Sequence, residues 1–383
     1  MLYDRVCGPP HPGEEPEQKR KAVTDTMTTL LSIILGSLLL PALPASGSSA
    51  LPASDALSRG FTPVEMVTEK SFSKARVPAK GRQAKIDLFC KRLGTHFKKY
   101  KWSAKPCGKV PWKTGLQSKA GHPLLYVEFG RGKETTLLMS GVHPDELTPI
   151  PIGFRFARYL LDHPESFDPE KFRVIVAPLV NPDGFIRNIP SRTNGNGVDV
   201  NRNFYTKDWY AKAIKRWSAA RSRNPRHFPG YFPNSEVETV FQMRLIEDYN
   251  PQKIISIHAP LGFLDYDGPG DRKRKSLSMT EKKAKHLAHA IAEKSRNYRV
   301  VDYSFYPGSL GNFAGNERRI PTITLELMTT EPKKHNVYWE HFLPGLIQSV
   351  RYPLKKWSAR TSGVQTRFTS RYPRSDRRPT RNL

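Results

Sequence analysis

Acidic residues are scarce in this chain of 383 residues, in which Asp and Glu total 35 against 62 for Lys and Arg. The formal net charge of +27 predicts attraction to polyanions such as nucleic acid, anionic lipid or cell-wall polymers, without choosing among them. Apolar residues are not lacking, since 38% of the chain is hydrophobic, which is enough to bury a core. A disordered protein is therefore excluded.

The apolar stretch at residues 30–43 (LLSIILGSLLLPAL) is too short to be a comfortable membrane span. Lys19, Arg20 and Lys21 precede it and the small residues of ASGSSALPAS follow it, which is the pattern of an export signal. A buried core helix is the alternative, although nothing amphipathic surrounds the stretch. We therefore predict a leader at residues 1–46 and an exported protein, periplasmic or extracellular, with no membrane span after signal removal.

Cysteine is nearly absent, with three residues in the whole chain. Removal of the leader would take Cys7 with it and leave Cys90 and Cys107, an even pair separated by a short loop. In an oxidising compartment such a pair predicts a disulfide, and two unpaired thiols are the alternative.

Two segments without sustained periodicity flank the body of the chain. Residues 47–80 are rich in Ser, Ala, Pro and Lys, which predicts a linker or a loosely packed arm. Residues 355–383 are rich in Arg, Ser, Thr and Pro and hold one acidic residue, Asp376, which predicts a mobile basic tail. We find no internal repeat, so residues 81–354 are predicted to form one catalytic domain.

Within that body, short β-rich apolar runs alternate with helical patterns. The runs include PLLYVEF, TTLLMSGV, FRVIVAPLV, KIISIHA and PTITLELM, and the helical patterns include LTPIPIGFRFARYLLDH and EKKAKHLAHAIAEKS. This alternation predicts an α/β fold, a three-layer α/β/α domain with a mixed, mostly parallel twisted sheet and helices on both faces. Ligand sites of such sheets lie beyond the carboxyl ends of the strands.

Polar side chains follow directly after four of these apolar runs. They are His143 after TTLLMSGV, Asn181 and Asp183 after VIVAPLV, His258 after KIISI and Glu326 after TITL. Each one alone has a structural explanation, but the set predicts a functional site at the carboxyl edge of the sheet.

A candidate metal site begins with the segment G-V-H-P-D-E-L, in which His143 and Glu146 are three residues apart. That separation lets an imidazole nitrogen and a carboxylate oxygen converge on one cation at roughly 2.0 to 2.2 Å, as zinc requires. The pair alone is a weak signal, and His258 completes a three-ligand set, although a histidine that ends a strand is more often a core residue. Two histidines, one carboxylate and a water make an open catalytic site, whereas a structural zinc is closed by four protein ligands that usually include Cys. We therefore predict one catalytic Zn2+ per chain.

Glu326 is an acid within the otherwise apolar strand T-I-T-L-E-L-M. A carboxylate in that position costs free energy unless it is paired or used in chemistry. A buried salt bridge is one explanation. The other is a general base that takes a proton from zinc-activated water and passes it to the leaving amine.

Five sequence blocks occur in a characteristic order. They are His-x-x-Glu, N-P-D-G-F from Asn181, G-V-D-V-N-R-N-F from Gly197, S-I-H from Ser256 and T-L-E-L from Thr324. In this order, over about residues 110–330, the chain resembles the zinc carboxypeptidases with the funnel-shaped α/β fold. The resemblance implies that His143, Glu146 and His258 are zinc ligands and that Glu326 is the catalytic base. It also implies that Asn201 and Arg202 bind a carboxylate of the substrate and that Arg192 stabilises the oxyanion.

The chemistry of arginine agrees with the last two roles. A planar guanidinium binds a carboxylate through two parallel hydrogen bonds, and near the metal it would stabilise the oxyanion of a tetrahedral intermediate by roughly 3 to 4 kcal/mol. Arg187 competes with Arg192 for the second role. Digestive members of the family carry a mobile tyrosine before the base. This chain offers Tyr303 and Tyr306 there, with Ser304 nearer the comparable spacing, so no single tyrosine is assigned.

Three further segments are similar to the bacterial murein-tripeptide amidases, which cut between γ-D-glutamate and meso-diaminopimelate. They are R-T-N-G-N-G-V-D-V-N-R-N-F, H-A-P-L-G-F-L-D-Y-D-G-P and Y-P-G-S-L-G-N-F. Recognition of the free carboxylate and amine of diaminopimelate needs a guanidinium, which Arg202 supplies, and an acid, for which Asp265 and Asp267 are candidates. The alternative for these aspartates is a turn, because D-Y-D-G-P is also good turn chemistry. Ser309, in the last segment, is a further candidate for substrate contact.

The resemblance therefore implies an exported zinc-dependent peptidase that hydrolyses an amide bond next to a carboxylate-bearing residue in peptidoglycan peptides. Its basic surface would hold it near anionic wall or outer-leaflet polymers. A protein carboxypeptidase that removes C-terminal residues is the second hypothesis. A non-catalytic wall-binding or polyanion-binding protein is the third, and the retained Glu326 argues against it. Nucleic acid is a disfavoured partner, because few aromatic residues such as Tyr372 are interleaved with the basic residues of the tail as stacking platforms.

Overall fold

The computed structural model describes residues 75–267 and 277–354. The predicted leader at residues 1–46, the predicted arm up to residue 74 and the predicted tail at residues 355–383 lie outside the described residues. Among the helices that are described, none is both long and apolar enough to cross a membrane.

The centre of the described chain is a sheet of seven strands. They are β1 (Val127–Phe129), β2 (Glu134–Met139), β3 (Phe172–Ala177), β4 (Lys253–His258), β5 (Phe263–Asp267), β6 (Val300–Val301) and β7 (Thr322–Glu326). Their order across the sheet is β1-β3-β2-β4-β7-β5-β6. The pairs β2/β3, β2/β4, β4/β7 and β5/β6 are parallel, and β1/β3 and β5/β7 are antiparallel. The predicted mixed, mostly parallel sheet is confirmed.

The α-helices of the described residues precede, connect and follow these strands. They are α1 (Arg82–Lys99), α2 (Pro149–Asp162), α3 (Pro182–Phe185), α4 (Trp209–Ala220), α5 (Val237–Tyr249), α6 (Met279–Lys294) and α7 (His335–Arg351). Pro149 is the first residue of α2. Proline is tolerated there because the N–H groups of the first helical turn have no partner within the helix. A capping box opens α6, since Ser278 and Glu281 each accept a hydrogen bond from the other's backbone N–H.

Helices cover both faces of the sheet. Alternate residues of each strand point to opposite faces, so neighbouring residues of one strand pack against different helices. Leu138 packs in one core cluster with Phe342 of α7 and Phe154 of α2. Its neighbour Leu137 packs in the other cluster with Phe241 of α5. The three-layer α/β/α architecture predicted from the sequence is therefore confirmed.

The folded body extends a few residues before position 81. Ala75 and Val77 are buried, and the backbone N–H of Val77 donates to the carbonyl of Gly115 at 2.9 Å. These residues, which composition assigned to the arm, pack against the body. A disulfide joins Cys90 on α1 to Cys107, the pair that we predicted from the cysteine count.

Strand β5 differs from the pattern of apolar runs, because it contains Asp265 and Asp267. It pairs antiparallel with β7, and Asp265 lies opposite Thr324. The turn interpretation of these two aspartates is wrong. Both belong to a strand, and the backbone hydrogen bonds to β7 outweigh the turn preference of the D-Y-D segment.

Candidate active site

Neighbouring strands bring the candidate chemical groups to one edge of the sheet. β2 ends at Met139, shortly before His143, while β4 ends at His258 and β7 ends at Glu326. Because β4 and β7 are parallel with His258 opposite Glu326, these two side chains start from adjacent backbone positions. The carboxyl edge of the sheet therefore holds the site, as the sequence predicted.

His143, Glu146 and His258 converge there, with ligating atoms that all lie within 4.8 Å of one another. Nδ1 of His143 is 2.9 Å from Oε1 of Glu146, and Nδ1 of His258 is 2.9 Å from Oε2 of the same carboxylate. All three side chains are buried. Two imidazoles and one carboxylate are a donor set of catalytic zinc sites that keep one position open, so the residues fit this ion.

Asp199 connects the cluster to Arg192. Oδ1 of Asp199 lies 3.0 Å from Nε2 of His143, and its Oδ2 accepts a hydrogen bond from Nε of Arg192 at 2.8 Å. Nη1 of Arg192 donates in turn to Oε1 of Glu146 at 3.0 Å. A carboxylate on the second ring nitrogen fixes the tautomer and orientation of a metal-binding histidine. Arg187, the competing candidate, is exposed and donates to the carbonyl of Asn194.

Charge compensation sets the protonation states of this buried group. Burial raises the pKa of Asp199, but Arg192 and His143 outweigh it and hold that pKa well below its usual value. Burial likewise opposes ionisation of Glu146, and His143 and His258 lower its pKa. Burial and Arg192 lower the pKa of His143. Two carboxylates therefore face one guanidinium, and a divalent cation would compensate the surplus negative charge.

Glu326 lies beside this cluster with 9% of its surface exposed. The backbone N–H of Leu261 donates to its Oε2 at 3.3 Å. Burial raises the pKa of Glu326 to about 7, and the charge of Glu146 adds to this while His258 opposes it. No Lys or Arg of the described chain lies within 4.0 Å as an ion-pair partner, which disfavours the salt-bridge explanation. A carboxyl group poised near neutral pH suits a general base.

Asn201 and Arg202 lie together in the 3₁₀ turn Val200–Arg202. The side-chain oxygen of Asn201 accepts the N–H of Leu310 at 2.7 Å, and Nη1 of Arg202 donates to the carbonyl of Asn201 at 2.6 Å. Burial lowers the pKa of Arg202 to about 10, which leaves it cationic at neutral pH. A Cβ on Gly308, whose φ is +72°, would lie 2.1 Å from the carbonyl oxygen of Arg202, so this approach requires glycine.

Asp265 and Asp267 form what we call the acidic floor. The two-residue spacing puts both aspartates on one face of β5. Asp265 lies opposite Thr324 of β7, and Thr324 is on the same face of β7 as Glu326, two residues before it. The N–H of Tyr303 donates to Asp265 at 2.7 Å, and the hydroxyl of Thr324 donates to Asp267 at 3.0 Å. Burial and the charge of Asp267 raise the pKa of Asp265 to about 9, and burial raises that of Asp267 to about 7.

Ser309 and the candidate tyrosines lie on the segment between β6 and β7. Oγ of Ser309 accepts the backbone N–H of Tyr306 at 3.3 Å and of Asn312 at 3.2 Å, which shapes the entry into the π-helix Gly311–Glu317. The ring of Tyr306 stacks on the guanidinium of Arg202, with 4.3 Å between the guanidinium carbon and the ring centre. Ser309 thus shapes the loop, and Tyr306 contacts the arginine proposed as the clamp.

The sequence interpretation gave no role to Asp199, although it lies in the quoted block G-V-D-V-N-R-N-F. A signal was present, because Asp199 is an acid between two valines. Glu326 was singled out for the same reason, as an acid among apolar residues. Asp199 is fully buried, so it needed partners such as His143 and Arg192.

Comparisons with known proteins agree with this geometry. A family described as zinc carboxypeptidase matches residues 113–377. Murein peptide amidase A of Vibrio campbellii is 32% identical over 216 residues, which cover 55% of this chain and 77% of that protein. Murein peptide amidase A of Escherichia coli is 33% identical over 152 residues, 39% of this chain and 59% of that protein. Carboxypeptidase A of Helicoverpa armigera has the same fold, with a TM-score of 0.52 and 18% identity over 67% of this chain and 70% of that one.

Replacement of Asp199 by Asn should weaken zinc binding by roughly 10- to 100-fold, because the amide cannot orient His143 and neutralise Arg192 as the carboxylate does. Zinc affinity can be measured by competition with a chromophoric chelator. Asp183→Asn is the matched control, since Asp183 is also buried but binds His122 at 2.8 Å instead of a candidate ligand. Equal zinc affinity in wild type and Asp199→Asn would contradict the role given to Asp199.

Proposed function

Since the chain belongs to the zinc carboxypeptidase family, and so to the hydrolases, we propose that it hydrolyses an amide bond in peptidoglycan peptides. The bond would lie next to a carboxylate-bearing residue, as in γ-D-glutamyl-meso-diaminopimelate or a similar pair. The names of the Vibrio and Escherichia relatives support this substrate class. One observation from the geometry carries the proposal, namely a buried acidic floor on the strand next to the one that ends in Glu326.

The acidic floor and Arg202 together match the charges of diaminopimelate. This amino acid offers a carboxylate next to the scissile amide and, at the far end of its side chain, an ammonium group. A guanidinium binds the first through paired hydrogen bonds. Asp265 and Asp267, both buried, would bind the second, because a cation restores the ionised form that burial disfavours.

His143, Glu146 and His258 would hold the zinc ion, which supplies Lewis-acid chemistry by polarising the scissile carbonyl and activating water near neutral pH. Glu326 would take the proton of the attacking water and pass it to the leaving amine. Nε of Arg192 donates a hydrogen bond to Asp199, and its Nη1 donates one to Glu146. A guanidinium has five N–H donors in all. Its remaining donors are available for the oxyanion of the tetrahedral intermediate.

Replacement of Glu326 by Gln should lower kcat by roughly 10²- to 10⁴-fold, since the amide cannot accept the proton. Zinc content, measured by plasma mass spectrometry, should stay at one ion per chain because Glu326 is not a ligand. Glu331→Gln on the surface is the control and should retain full activity. If Glu326→Gln and wild type turn over at the same rate, the proposed mechanism is wrong.

A protein carboxypeptidase that removes C-terminal lysine or arginine is the second candidate, because the acidic floor would also bind a basic side chain. The two candidates separate when purified muropeptides and a panel of linear peptides are digested side by side and analysed by mass spectrometry. We expect release of diaminopimelate-containing product from muropeptides. Efficient trimming of linear peptides with no cleavage of muropeptides would favour the carboxypeptidase.

The acidic floor also predicts a pH-dependent preference for substrates with an amine. The floor binds an ammonium group only when ionised, so KM for such a substrate should fall as pH rises through about 7, the pKa of Asp267. Asp267→Asn should lower the preference for lysine over norleucine at the leaving position by roughly tenfold. Asp302→Asn, at an exposed neighbouring carboxylate, should leave it unchanged. An unchanged preference in Asp267→Asn would remove the acidic floor from substrate recognition.

We also propose that the enzyme is exported and acts in the periplasm or outside the cell. The apolar stretch at residues 30–43 after a basic flank and the Cys90–Cys107 disulfide support this location. The net charge of +27 would favour association with anionic wall polymers. Expression of the full chain in a bacterial host, followed by fractionation and N-terminal sequencing, should give an envelope protein that has lost the leader. A full-length protein in the cytosol, with Cys7 retained, would contradict export.

A further inference from the structure

Two arginines that have no part in the mechanism above lie next to Arg202. Arg216 is on α4 and Arg221 immediately follows that helix. Their guanidinium carbons lie 4.0 Å and 5.6 Å from the centre of the Tyr306 ring, and that of Arg202 lies 4.3 Å from it. Nη2 of Arg221 also donates to the Tyr306 hydroxyl at 3.1 Å. One aromatic ring therefore holds three guanidinium groups together, and we call this set the arginine cluster.

The arginine cluster carries positive charge without paired acids. Within the described residues, no carboxylate lies within 4.0 Å of a guanidinium nitrogen of any of its three members. Other cations nearby are compensated, since Arg226 pairs with Asp145, and Lys212 lies 3.5 Å from Asp208. Three like charges around one ring repel each other, and packing of Tyr306 needs only one of them. Such an arrangement attracts an anion.

The arginine cluster also lines a cleft in which an anion could bind. The cleft is small, and its walls include the exposed Arg216 and Arg221 together with Arg202, Tyr306 and His227. Nδ1 of His227 faces the site interior, 3.8 Å from Oδ2 of Asp199, so the arginines are the donors that remain for an anion. A carboxylate at the mouth of this cleft would meet guanidinium donors from more than one arginine.

We infer that Arg216 and Arg221 form, next to Arg202, a second anion subsite that binds a further carboxylate on the leaving-group side of the scissile amide. This inference rests on the proposed function, in which Arg202 binds the first carboxylate. The enzyme then prefers substrates with two carboxylates beyond the scissile bond. The second carboxylate comes from the far end of the leaving diamino-dicarboxylic residue or from one more residue attached to it, and both present the same chemistry to a guanidinium.

Three synthetic substrates test the inference on the zinc-loaded full chain. They are a γ-glutamyl-diaminopimelate peptide, the same peptide with the distal carboxylate amidated, and the same peptide extended by D-alanine through its distal carboxyl group, so that the carboxylate proposed to bind Arg202 stays free. For wild type we expect kcat/KM to fall roughly tenfold when the second carboxylate is removed, mainly through a rise in KM. The double variant Arg216→Gln with Arg221→Gln should lose this discrimination and keep its kcat on the amidated peptide.

Arg223→Gln provides the matched control, because Arg223 is an exposed arginine of the same loop that does not line the cleft. It should discriminate as wild type does. If the double variant loses the preference for the distal carboxylate, the subsite binds the leaving residue itself. If it loses only a preference for the D-alanine extension, the subsite binds the following residue. Unchanged discrimination for both pairs overturns the inference.

Calorimetry separates failure of this subsite from failure of the proposed function. Free meso-diaminopimelate should bind the zinc-loaded wild type roughly tenfold more tightly than lysine, which has one carboxylate, and the double variant should bind the two alike. If this difference is found but no muropeptide is cleaved, the proposed substrate is wrong and the subsite stands. If muropeptides are cleaved and the double variant still separates the two ligands, the subsite is wrong and the proposed function stands.

Discussion

The structure of the site depends on the burial of one ionised carboxylate, that of Glu146. Its two oxygens contact His143, His258, Arg192 and the N–H of Ala259. Removal of a carboxylate from water costs several kcal/mol unless its partners compensate it. The partners come from three separate stretches of the chain, and the parallel strands β2 and β4 bring two of them together. The sheet topology is therefore a condition for a stable charge at this position.

The same charge balance explains why a metal suits the site and why Glu326 can act as a base. Glu146 and Asp199 are ionised, Arg192 supplies one positive charge, and a divalent cation compensates the remaining negative charge. Without that cation, burial raises the pKa of Glu326 to about 7. A nearby positive ion favours the ionised form of a carboxyl group, so an occupied site would hold Glu326 ready to accept a proton.

Much of this arrangement could be predicted from the sequence. The strands β2, β3, β4 and β7 are apolar runs whose ends carry reactive residues, and a parallel sheet brings such ends together. The ligands His143, Glu146 and His258 followed from that rule and from the family blocks. β5 was harder to recognise, because Asp265 and Asp267 break the apolar pattern of a buried strand. The contacts of Asp199 and the arginine cluster depend on tertiary packing between distant segments, which no local pattern encodes.

The central claim is that His143, Glu146 and His258 bind one zinc ion beside Glu326. Anomalous diffraction at the zinc absorption edge, from crystals of the zinc-loaded protein, tests it most directly. The account predicts one anomalous peak per chain, within about 2.0 to 2.2 Å of a nitrogen from each histidine and an oxygen of Glu146. A peak bound by other residues, or no peak at these three side chains, would contradict it.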